Sequence, residues 1–125
     1  VAGPYSHFNQ SRVKRVWEGI EARSVNGERM TMALVDLEAG AGLPPHQHEN
    51  EQMGFVIEGE LTMTIDGETR TLRRGDTYTI PSNILHGAVT GAEGAVVVDI
   101  FAPIRADWAE LPESNPSPSA WGEKG

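Results

Sequence analysis

Five residues that alternate strictly between apolar and polar, Leu61-Thr62-Met63-Thr64-Ile65, run into Asp66-Gly67. Asp-Gly suits a two-residue turn that needs positive φ, so this stretch predicts a β-hairpin with Leu61, Met63 and Ile65 on one face. The same grammar recurs along the chain. β-prone runs are expected at Val13 to Ile20, Met30 to Glu38, Gly54 to Glu58, Leu61 to Asp66, Glu68 to Leu72, Thr77 to Ile80 and Ala95 to Phe101. Breaks containing Gly, Ser or Asn separate several of them, while helical periodicity is missing almost everywhere, leaving room for one helical turn over Ala106 to Leu111. The pattern predicts an all-β protein, a small antiparallel barrel or jelly roll.

With 125 residues, 38% of them hydrophobic, the chain has material for one core. The expected organisation is an N-terminal segment over residues 1–12, a barrel domain over 13–111 and a Pro/Ser-rich C-terminal tail over 112–125, the last too polar to pack. Trp121 either anchors that tail or sits in it as a stray aromatic. Cysteine is absent, which excludes disulfides, thiolate metal sites and cysteine nucleophiles. A net charge of -8 argues against nucleic acid as a partner, because such surfaces need a clustered basic field. No apolar run approaches the roughly 20 residues of a membrane span, so no membrane partner is expected. A cytoplasmic location is the expectation, although a chain that begins at Val1 leaves a removed leader open.

Three of the four histidines make sense together. His46 and His48 are two apart, His86 follows a later turn, and His7 stands alone. On an extended backbone, residues two apart project from one face, so His46 and His48 can present ring nitrogens to a common point. Gln52 follows at the start of the next apolar run, where its amide oxygen either completes a ligand set or hydrogen-bonds a histidine. Imidazole suits Zn, Fe, Ni or Cu. A His-x-His pair alone occurs often by chance on wet surfaces.

The surrounding pattern resembles the cupin superfamily. Its first motif, Gly, five residues, His-x-His, three or four residues, Glu, six residues, Gly, reads here as Gly40, His46, His48, Gln52 and Gly59, with Gln in the Glu position. Its second motif reads as Gly75, Pro81, Asn83, His86 and Thr90, with Asn83 in a glycine slot because Asn tolerates positive φ. The resemblance implies a single-domain cupin, a double-stranded β-helix or jelly-roll barrel, and one divalent transition metal ion (Zn, Ni, Fe or Mn) on His46, His48, Gln52 and His86. With no carboxylate in that set, the charge of the ion would be left uncompensated by its ligands.

In Val97-Val98-Asp99-Ile100-Phe101, alternation places Asp99 and Phe101 on one face and Val98 and Ile100 on the other. If the first face looks into the barrel, Asp99 is desolvated, its pKa rises, and it suits proton transfer near neutral pH. Phe101 is placed to stack on a sugar ring and Arg105 to grip a carboxylate, unless Asp99 and Arg105 simply form an ion pair.

The ending Asp-x-Phe-x-Pro-x-Arg-x-Asp-Trp, with His-x-His-x3-Gln, resembles the KdgF-type cupins over roughly Val13 to Trp108. That resemblance implies metal-dependent linearisation of 4,5-unsaturated uronates, released in pectin or alginate breakdown, to linear 5-keto-4-deoxyuronates. It assigns Asp99 and Arg105 to catalysis, Phe101 and Arg105 to substrate binding, and Gln52 to the metal, and it implies a homodimer and a small anionic sugar as partner. The alternatives are a metal-dependent cupin dioxygenase and a non-catalytic sugar-binding cupin.

Overall fold

The computed structural model describes residues 3–121. Nine strands carry the fold: β1 (Val13–Trp17), β2 (Ile20–Asn26), β3 (Thr31–Leu37), β4 (Gly42–His46), β5 (Glu51–Ile65), β6 (Glu68–Arg73), β7 (Thr77–Ile80), β8 (His86–Ala102) and β9 (Glu113–Ser114). Short 3-10 turns span Phe8–Gln10 and Ala106–Glu110. All pairings are antiparallel, in the order β6-β5-β8-β3-β2-β1-β9, with β4 also on β8 and β7 also on β5.

The two longest strands make the barrel. The first half of β5 pairs with β7 and its second half with β6, while β8 pairs with β4 early and with β3 late. Each therefore changes neighbours partway along its length. The bend falls where Gly59 (φ 85°) and Gly94 (φ 73°) meet and the β5–β8 register shifts between Gly59 and Leu61. A Cβ at Gly59 would run into the backbone of Gly94 and Ala95, so the corner requires glycine. This is why Gly54 to Glu58 and Leu61 to Asp66, expected as separate strands, are one: Glu58-Gly59-Glu60 makes a bulge, not a turn.

Another division went unforeseen. The run expected from Val13 to Ile20 breaks after Trp17, and a separate strand, β2, begins at Ile20. Arg23 on β2 interrupts the hydrophobic pattern because it is a charged residue turned inward, 2% exposed. The hairpin at Asp66-Gly67 forms as expected, both residues at positive φ, and Asn83 adopts φ 61° in its glycine slot. Leu61, Ile80, Val35, Val56, Val97 and Phe101 pack in the core between the sheets.

The expectation of an unpacked tail is corrected. Glu113 and Ser114 pair with Lys14 and Val13, the Ser117 and Pro118 carbonyls accept from the Arg23 guanidinium, and fully buried Ser119 donates to Asp36. The segment packs through its carbonyls and hydroxyls, satisfying a buried cation, and so needs few apolar side chains. Trp121 is half exposed. No helix among the described residues is long and apolar enough to cross a membrane.

Candidate functional site

His46 ends β4, His48 lies in the following loop and His86 opens β8 directly opposite His46 in register. Their ligand atoms lie within 4.8 Å of one another, and their ring centroids are 4.2 to 5.8 Å apart. Each ring is fixed by the same device. Nδ1 sits 2.9 Å from a carbonyl two residues away, that of Pro44 for His46, Asn50 for His48 and Ile84 for His86. A carbonyl only accepts, so each Nδ1–H donates and each Nε2 keeps its lone pair. Nε2 of His48 is buried without a hydrogen-bond partner among the described residues, as suits an atom that belongs to a cation.

Electrostatics favour the same state. Burial, assisted by the charge of Arg105, lowers the pKa of His48, and burial lowers that of His86 to about 4. Both rings are neutral at neutral pH, the form a metal requires. The three imidazoles are thus positioned to hold a metal ion.

They open on a cavity of about 400 Å³ also lined by Gln52, Tyr78, Asp99, Phe101 and Arg105, with apolar walls that include Leu61, Met63 and Val97. Gln52 on β5 is 7% exposed and neighbours His48 and Asp99. Asp99 is equally buried and accepts a 2.6 Å hydrogen bond from the Tyr78 hydroxyl on Oδ1. Burial raises its pKa to about 6 against the opposing effects of Tyr78, Gln52 and Arg105. The same burial, with the Asp99 charge, pushes the Tyr78 hydroxyl well above the usual phenol range.

Arg105 does not pair with Asp99. Its guanidinium meets Asp107 through Nε and Nη2, and lies 4.7 Å from the Phe101 ring centroid and 5.0 Å from that of Trp108. Its backbone N–H donates to Thr31, while buried Asn50, beside His48, donates to the carbonyls of Pro103 and Ile104. The loops carrying His48 and Arg105 are therefore tied together. Phe101 is buried edge-on to Trp108 and His48 beneath that cation.

Sequence reasoning left Tyr78, Trp108 and Asp107 without roles. Tyr78 was accessible in principle, since alternation in Thr77-Tyr78-Thr79-Ile80 places it beside Ile80 on the inner face. Its partnership with Asp99 spans strands and carries no local signal.

The family described as Cupin domain (Cupin_2) matches residues 33–101. The chain is 36% identical over 93 residues to the pectin degradation protein KdgF of Dickeya dadantii, covering 73% of this chain and 84% of that protein. Among solved structures, KdgF from Halomonas superposes with a TM-score of 0.77 at 30% identity, covering 85% of this chain and 98% of that one. An RmlC-like cupin from Shewanella frigidimarina gives 0.79 at 26% identity, covering 86% and 96%. From its barrel, its paired motifs and these likenesses, the chain belongs to the cupin family and is of the KdgF kind.

Proposed function

We propose that this chain opens the ring of 4,5-unsaturated uronates derived from pectin or alginate, giving the linear 5-keto-4-deoxyuronate. The observation that carries the reading is the convergence on one cavity of three imidazoles, a buried carboxyl and a guanidinium. The likeness to a protein named for pectin degradation supports it.

The substrate is a cyclic hemiacetal with a C4=C5 double bond, a ring oxygen on C5 and a carboxylate beside it. The reaction is an isomerisation. The C1 hydroxyl loses its proton, the bond from C1 to the ring oxygen breaks to leave an aldehyde, and the resulting enolate takes a proton at C4. No oxidant or water is consumed. Asp99 is the proton carrier, accepting from the C1 hydroxyl and serving C4. Arg105 receives the carboxylate, oriented by Asp107 and by the aromatic rings beneath it, and Phe101 forms the adjoining wall. His46, His48 and His86, with Gln52 beside them, would hold a divalent ion, which when bound would supply Lewis-acid stabilisation of negative charge on oxygen. The net charge of -8 is no obstacle, because screening over about 8 Å removes distant carboxylates while Arg105 acts at contact range.

The test is anaerobic turnover of an unsaturated uronate monosaccharide. Loss of its conjugated ultraviolet absorbance without oxygen is the expected result. A requirement for oxygen favours the dioxygenase, and saturable binding with unchanged absorbance favours a sugar-binding protein.

A further inference from the structure

Tyr78 and Asp99 stand on β7 and β8, which are separated by β5, yet their side chains meet. Gly54 of β5 is in register with both. A Cβ there would lie 2.5 Å from Asp99 Oδ1 and equally close to the Cζ and hydroxyl of Tyr78. The missing side chain lets the two reach over the intervening strand, a span of nearly 10 Å at ordinary strand spacing. Both line the cavity, Tyr78 at 6% exposure and Asp99 at 7%. Packing alone would be served by phenylalanine at 78. A hydroxyl aimed at one carboxyl oxygen from 2.6 Å has the length of a charge-assisted hydrogen bond.

We propose that Tyr78 is a positioning residue: its hydroxyl occupies Oδ1 of Asp99 and fixes the plane of the carboxyl that serves the substrate. The inference rests on the ring-opening reaction, in which Asp99 carries the proton. Gly54 is the complementary part, holding open the space in which the pair meets.

The chain has two tyrosines, Tyr78 and the exposed Tyr5, so labelling with 3-fluorotyrosine gives two assignable fluorine resonances. In metal-free protein, Asp99→Asn shifts the Tyr78 resonance and leaves that of Tyr5 in place. With metal loaded and unsaturated uronate monosaccharide as substrate, Tyr78→Phe lowers kcat by about tenfold to a hundredfold. Its KM stays within about twofold and its metal content is unchanged, because the carboxylate grip and the imidazoles are intact. In the Asp99→Asn background the same change has no further effect on residual turnover. Where Tyr78→Phe fails to fold, the fluorotyrosine enzyme keeps the ring and alters only hydroxyl acidity, and kcat moves with it. An unchanged kcat in either form, or an equal loss with and without Asp99, overturns the role of Tyr78. Failure of the wild-type protein to turn over the sugar removes the reaction itself and this role with it.

Discussion

The Arg105 guanidinium is held along one edge by Asp107, with Nε 3.1 Å from Oδ1 and Nη2 3.0 Å from Oδ2. That grip leaves Nη1 and the second hydrogen of Nη2 free, an edge suited to another carboxylate. The side chain of Asp107 is 64% exposed and that of Arg105 only 12%, so the fork sits where the cavity meets solvent.

Arg105→Ala should therefore raise KM for the uronate by about tenfold or more. Arg105→Lys should recover little of this, because an ammonium reproduces neither the planar fork nor the contact with Phe101 and Trp108. Steady-state kinetics with metal content measured in parallel check both. A lysine variant with wild-type KM would show that Arg105 acts only as a positive charge.

The raised pKa of Asp99 makes a stability prediction. Its folded value is about 6 against an ordinary value of 3.8, so between these the folded state binds the extra proton and stability falls as pH rises. His86, lowered to about 4, acts in the opposite sense, adding stability as pH rises from about 4 to 6.5. Comparing metal-free wild type with Asp99→Asn isolates the first effect. The variant should gain as much as about 3 kcal/mol relative to wild type on going from pH 3.5 to pH 8. Urea melts at the two pH values measure it, and a constant difference would mean that Asp99 is not desolvated in the folded protein.

Three imidazoles with their Nδ1 atoms committed to backbone carbonyls present their Nε2 atoms to one point and predict tight metal binding. A divalent metal at about 100 times its dissociation constant should stabilise the fold by about 2.7 kcal/mol. His86→Ala should abolish this response. Melting with and without chelator tests it, and a response retained in that variant would place the ion elsewhere.

The C-terminal strap supplies the acceptors of a buried arginine. Removing residues 115–125 leaves Arg23 its contact with Asp36 at 2.6 Å and withdraws the Ser117 and Pro118 carbonyls. A loss of about 3 kcal/mol is expected by chemical denaturation. Arg23→Met in the truncated chain should restore part of it, since an apolar side chain needs no acceptors. A truncated protein as stable as the full chain would show the strap to be decorative.

What could be read from the residues followed from local chemistry. The Asp66-Gly67 turn, the alternation of Leu61, Met63 and Ile65, the facing of Asp99 and Phe101 and the His46 and His48 pair all depend on near neighbours, and alternation is enforced by burial of one sheet face; His86, far along the chain, joins the pair only through the spacing of the second cupin motif. Two features depended on distant parts of the chain. Gly59 reads as a turn until Gly94 is known to lie against it, and Arg23 reads as exposed until the strap is seen to supply its acceptors. Arg105 is a local case of another kind: its carboxylate partner is Asp107, two residues on, and not Asp99, because the 3-10 turn at Ala106–Glu110 brings that neighbour back onto it.

In the proposed reaction, Asp99 moves the proton as the ring of the unsaturated uronate opens. Proton NMR of the monosaccharide with metal-loaded protein in deuterated water tests it most directly. The C4 vinyl signal should disappear, deuterium should appear at C4 of a linear 5-keto product, and the rate should be about 100 to 10,000 times lower in Asp99→Asn at unchanged metal content. A vinyl signal that persists at the rate of the protein-free control, or an Asp99→Asn variant as fast as wild type, would contradict it.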